Sequence, residues 1–196
     1  MGRIKTNNND SRKDIILKKS ASLFKEKGFK AASMRELAEI VGVEAASLYN
    51  HIKGKNELLH EICFNVANKY NKNIEAIEAQ SNTALQKVEQ LLRFHIKGMV
   101  QHYNEVFVSD REWKYLSEPY LSNFQNQRRT YRKRFAALIE EGIKKKEIKK
   151  IDATTAVLIM LHAISGIESW HRSKVKISGA ELEESMITIL VGGLKK

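Results

Sequence analysis

Apolar residues along this chain recur at helical spacing, and polar caps and glycines separate one apolar stripe from the next. After a polar, Asn-rich arm over residues 1–10, expected to fray, "SRKD" at residues 11–14 has the spacing of a capping box. Ile16, Ser20, Leu23 and Phe24 follow on one helical face, and Gly28 supplies a stop. "SMRE" at residues 33–36 is a second capping box, with Leu37, Ala38 and Val41 as a short apolar face and Gly42 at its end. The next helix is expected over about residues 44–52. Leu48 and Ile52 lie one turn apart and face inward, while Ala46 and Asn50 centre the opposite face with Ser47 and Tyr49 beside them.

The longer helices read in the same way. Gly54 with Glu57 opens a fourth helix to about residue 79, through Leu58, Leu59, Ile62, Val66, Tyr70, Ile74 and Ile77. "QSNT" at residues 80–83 is a loop. Leu85, Val88, Leu92, Ile96 and Met99 stripe a fifth helix over about residues 84–103. A shorter, broken helical stretch, "NEVFVSDREWKYLSE", follows. Pro119 suits a helix start, and Phe124, Tyr131, Phe135 and Leu138 carry that helix to about residue 146. Asp152 can cap a helix over residues 153–172, and a last helix is expected over residues 180–194. No stretch alternates as a half-buried strand does, and no repeat is present. The expectation is an all-α fold of about nine helices: a three-helix module over residues 1–56 and a helical body over residues 57–196.

Two short helices joined by a glycine turn and braced by a longer first helix describe a helix-turn-helix. The outer face of the third helix is small and polar, which suits close approach to base edges in a major groove. The charge distribution agrees. Of the formal net charge of +11, residues 1–56 carry +6. A basic module on a nearly balanced body points to a polyanion partner; a solubilising charge is the plainer alternative. At the start of the fourth helix, Lys55 sits where free backbone N–H groups and an ammonium both suit a phosphate.

Other chemistries find little support. Cys63 is the single cysteine, so no internal disulfide forms, and a reducing, cytoplasmic setting fits. The start has no secretory apolar stretch, and "AVLIML" at residues 156–161 is too short to span a bilayer, so no membrane role is expected. No Gly-rich phosphate loop, nucleophile elbow or HExxH helix occurs, so neither enzyme nor cofactor is expected. His95 and His102 are seven residues apart, but no acidic or cysteine partner has ligand spacing, so no metal is expected either. "RRTYRKR" at residues 128–134 reads as a solvated helix face, or as a seat for phosphates.

With these motifs in register, the chain resembles the TetR family of bacterial transcription regulators. The residues that carry the resemblance are Phe24, Gly28 and Phe29, then "SMRELAEIVGV", then "SLYNHIKGKNELL". Many members place a Phe where Ile52 stands, which keeps an apolar anchor. Beyond Leu59 the family shares architecture more than sequence. The resemblance implies a homodimer binding a near-palindromic operator, most simply as a repressor released by a small hydrophobic effector. The DNA contacts it implies are Ser33, Met34, Arg35, Glu44, Ala45, Ala46, Ser47, Tyr49, Asn50, His51, Lys53 and Lys55. Ser33, Tyr49, His51 and Lys55 would hold phosphates and Arg35 would reach a base. Glu44 would cap its helix or accept from a cytosine amine.

The last two long helices would pair with their copies. Their apolar residues Val157, Met160, Leu161, Ile164, Ile167, Met186, Ile189 and Leu190 are the interface candidates. The tail "LHAISGIESWHRSKVKISGAELEESMITILVGGL" is similar to members that sense CoA thioesters, through a Trp after the eighth helix, a short loop, a Ser before an acidic helix start and a terminal Gly-Leu. Phe94, Met99, Trp113, Phe124, Tyr131 and Trp170 are the candidates to line an effector site; core packing is the equal alternative for each. A different hydrophobic or aromatic effector, such as a drug, stays open, as do a DNA-binding protein without a ligand switch and, distantly, a helical enzyme.

Overall fold

The structure, a computed structural model, describes residues 11–50, 52–174 and 177–195. Within them the chain forms ten α-helices: α1 (Arg12–Lys27), α2 (Met34–Val41), α3 (Ala45–Tyr49), α4 (Lys55–Glu78), α5 (Ala84–Gln101), α6 (Tyr103–Arg111), α7 (Tyr120–Lys144), α8 (Ala153–Ser165), α9 (Ile167–Arg172) and α10 (Gly179–Gly192). A 3-10 turn at Trp113–Tyr115 follows α6. The one β feature among the described residues is an isolated antiparallel bridge between Ile148 and Lys195.

Side-chain caps set five of the ten helix starts. Ser11 with Asp14, Ser33 with Glu36, Thr83 with Gln86 and Ser178 with Glu181 all form reciprocal capping boxes. Asp152 accepts the Thr155 N–H at 2.6 Å at the start of α8. Three elements differ from the sequence reading. Helix α3 is only five residues long. The fifth helix stops at Gln101, because His102 leaves helical geometry at φ −125° and ψ 40°. The helix expected over residues 153–172 is divided at Gly166, a residue with little preference for a helix interior.

The helices form two compact units. One contains the described residues up to Ala67 together with Asn104–Gln125. Its core joins Ile16 and Phe24 of α1, Leu37 of α2, Leu48 of α3, Leu58, Leu59 and Cys63 of α4, and Val108 and Phe124. The other contains Asn68–Tyr103 and the residues from Asn126 onward. There Ile74, Leu91, Leu92, Ile96, Phe135 and Ile139 are buried, with Val157, Met160 and Ile164 of α8. Burial of these side chains, at ~1.5–3 kcal/mol each, rather than local helix preference, holds each bundle together.

Candidate nucleic-acid interface

The head is set by one glycine turn. Gly42 takes φ 79°, a conformation costly for any residue with a Cβ, and the N–H groups of Gly42 and Val43 both donate to the Ala38 carbonyl, at 2.9 and 3.0 Å. This closes α2 and turns the chain into α3. There Leu48 is 1% exposed and anchors the helix in the core. Ala45, Ala46, Ser47, Tyr49 and Asn50 are all exposed, with Tyr49 at 53%. A helix with one anchor and an otherwise small, polar, outward surface is unusual for packing and suited to a groove.

The remaining expected contacts divide. Arg35 is exposed and lies 3.5 Å from Glu39 one turn on; such a surface pair is weak and leaves the guanidinium available. Lys53 is exposed, and its N–H donates to the Glu57 carboxylate, which helps start α4. Met34 is half-buried and packs against the core of its unit. Ser33 has its hydroxyl committed to the capping box: it accepts the Glu36 N–H at 3.2 Å and donates to the Glu36 carboxylate at 2.9 Å. The Lys27 ammonium and these Ser33 bonds hold the Glu36 carboxyl down to about 2. Glu44 stands at the cap position of α3, but its side chain makes no capping bond, so the capping expectation does not hold. His51 lies outside the described residues.

Lys55 requires a correction. Its ammonium does not project toward solvent. It donates to the carbonyls of Phe29, Lys30 and Ala32 at 3.0, 3.0 and 3.1 Å, and lies 4.8 Å from the centroid of the Phe29 ring. An ammonium has three protons, and the three carbonyls use them. The turn between α1 and α2 has carbonyls that no helix ladder satisfies, and this is where they go. A second side chain, absent from the sequence reading, meets the same turn: the Glu112 carboxylate accepts the Phe29 N–H at 2.9 Å across 83 residues of chain. No local pattern could have announced it.

The effector candidates are divided between the two units. Trp113 and Phe124 lie in the unit that holds the head, ring centroids 6.2 Å apart, and Phe124 is part of its core. Phe94, Met99, Tyr131 and Trp170 belong to the other unit. Phe94 and Tyr131 both approach Tyr70, at 5.6 and 6.1 Å. Tyr131 also pairs with His95, Nε2 to Oη at 2.8 Å, and burial, helped by the Arg128 charge, lowers the His95 ring to about 4. Met99 is buried and its carbonyl pairs with His171 Nε2 at 2.8 Å; Trp170 Nε1–H donates to the Ile177 carbonyl at 2.9 Å. In the basic run, Arg134 is engaged by Glu75 and Glu78, while Arg129, Arg132 and Lys133 are exposed. No group of three or more His, Cys, Asp or Glu able to hold a metal occurs among the described residues.

The expected dimer residues divide by exposure. Val157, Met160, Ile164 and Ile167 are buried within the protomer, at 2–3% exposure, so they build its own core. Leu161, Met186 and Leu190 are half-buried and Ile189 is exposed. The outward apolar residues of α8 are Leu158 and Ile159.

Comparison with known proteins agrees with this architecture. Residues 16–62 match the family model described as bacterial regulatory proteins, tetR family, and residues 81–194 match the tetracyclin repressor-like C-terminal domain. The HTH-type transcriptional repressor KstR2 of Mycolicibacterium smegmatis is 21% identical over 94% of this chain and 91% of its own. The structure of the ketosteroid transcriptional regulator KstR2 of Mycobacterium tuberculosis superposes with a TM-score of 0.88 at 20% identity, covering 99% of this chain and 100% of that one. AibR, solved with isovaleryl coenzyme A and operator DNA, gives a TM-score of 0.80 at 18% identity over 92% and 98% of the two chains. The two family models together cover most of the chain, and the chain belongs to the TetR family of DNA-binding transcriptional repressors.

Proposed function

We propose that the protein works in the cytoplasm as a homodimer that occupies a near-palindromic operator and leaves it when a small hydrophobic effector, an acyl-CoA, binds the helical body. The observation that carries the DNA contact is the α3 surface: one buried anchor, Leu48, and an exposed face of Ala45, Ala46, Ser47, Tyr49 and Asn50. Arg35, Lys53 and the N-terminus of α2 at Ser33 add positive character beside it. The effector class is supported by the likeness to AibR, a protein solved with isovaleryl coenzyme A and operator DNA. The dimer is supported by the outward apolar residues Leu158, Ile159 and Ile189.

Labelled DNA from upstream of the protein's own gene, titrated with and without a panel of acyl-CoAs, tests the reading. Binding that falls steeply with salt and is released by one chain-length class is the expected result. Retention of DNA under every thioester would remove the acyl-CoA and leave the operator reading standing.

A further inference from the structure

The turn from α1 to α2 is held by two side chains that belong to neither of the helices it joins: Lys55 opens α4, and Glu112 follows α6. Lys55 supplies three N–H donors to the carbonyls of Phe29, Lys30 and Ala32, and Glu112 accepts the N–H of Phe29. The Phe29 ring is 5% exposed and stacks on Tyr115 at 5.9 Å and 18°. These contacts lie within one compact unit. The turn ends at Ser33, whose geometry fixes the first turn of α2 and hence the direction in which its backbone N–H groups point.

We propose that Lys55 and Glu112 are positioning residues for operator recognition: they clamp the α1–α2 turn from outside the two helices it joins and so set where the N-terminus of α2 meets the DNA backbone. This rests on the operator reading given above. It departs from the expectation that Lys55 is itself a phosphate ligand. To reach a phosphate, the ammonium would have to abandon three carbonyls, two of which, those of Phe29 and Ala32, are part-buried and would lose this donor.

The two roles differ in sign and in salt dependence. Removing the Glu112 charge from a basic head strengthens long-range attraction to DNA or leaves it unchanged, unless Glu112 positions the turn. Removing a phosphate ligand lowers the slope of log affinity against log salt by about one, whereas misplacing a turn weakens binding without that change. An arginine replaces a lysine well on a phosphate, but its planar fork does not reproduce three convergent ammonium bonds.

The experiment uses the full-length protein and a duplex that the wild type selects from a randomised pool. Affinity is measured over a range of salt for Glu112→Ala, Glu112→Gln, Lys55→Met and Lys55→Arg, at a temperature where thermal unfolding shows each variant folded. Glu112→Ala and Lys55→Met should each bind roughly ten-fold more weakly with the wild-type salt slope. Glu112→Gln, which keeps an acceptor for the Phe29 N–H, should restore binding, and Lys55→Arg should not. Wild-type affinity in Glu112→Ala, or a reduced slope in Lys55→Met with rescue by Lys55→Arg, overturns the clamp. Should Glu112→Ala fail to fold, the two Lys55 variants decide alone. A wild type that selects no duplex overturns the operator reading itself, a distinct result.

Discussion

Leu48 and Tyr49 are adjacent in sequence and opposite in role, 1% and 53% exposed. Leu48→Ala removes a core anchor and should cost ~2–5 kcal/mol of stability, read from urea unfolding. Tyr49→Ala should change stability by less than ~0.5 kcal/mol yet weaken operator binding; equal affinity would remove Tyr49 from the contact set. This contrast was legible in the sequence, because burial on a helix follows its period. The role of Lys55 was not: a lysine after a glycine looks the same whether it faces a phosphate or carbonyls 23–26 residues away in the chain. His95 was likewise opaque, its partner Tyr131 being 36 residues distant. Its buried ring stays neutral down to about 4, while in the unfolded chain it takes a proton below about 6.5. The unfolded state therefore binds more protons between these values, and stability falls as pH drops through that window. Wild type should lose about 2 kcal/mol between pH 7 and 5 that His95→Gln does not lose, measured as the difference in urea midpoints.

Helix starts are the most readable feature of this chain, because a capping box is a local pairing of residues three apart. Those of Ser11 and Ser33 form where the spacing places them, and that of Thr83 follows the same rule. Helix ends inside long apolar stretches were harder. The break at His102 carries no sequence signal, and α9 continues the apolar pattern of α8 past Gly166, so the glycine alone did not announce a division. Ser178 offers a clean test of a cap. Its Oγ accepts the Glu181 N–H at 3.2 Å, and its own N–H donates to the Glu181 carboxylate at 2.8 Å. Ser178→Ala should destabilise the protein by about 1 kcal/mol. Ser178→Asp, which keeps an acceptor for the Glu181 N–H, should recover much of it. Equal melting temperatures for wild type and Ser178→Ala would show that α10 does not depend on its cap.

At the scale of the whole molecule, the question is what covers the second apolar face of α8. By length and composition alone, Ala153–Arg172 passes for a membrane span, with a mean hydropathy of 1.2, yet only 33% of that window is buried in the protomer. One stripe, Ala153, Ala156, Val157, Met160, Ile164 and Ile167, accounts for the buried part. The other shows Leu158 and Ile159 at 50% and 59% exposure, and α10 shows Ile189 at 72%. From the sequence alone the two stripes could not be told apart, since both are apolar and only packing reveals which is the core. Exposed apolar side chains on two helices, flanked by Thr155, Ser185 and Thr188, suit a second copy of the chain better than a bilayer, which would have to accept those polar groups. Replacing Ile159 and Ile189 with Lys should therefore yield a folded monomer by sedimentation, with unchanged helix content. Because a two-fold dimer presents two recognition helices to two half-sites, the same variant should bind a full operator no better than a half-site. A variant that stays dimeric at micromolar concentration would place the interface elsewhere, and one that turns monomeric yet keeps full-operator affinity would separate dimerisation from recognition.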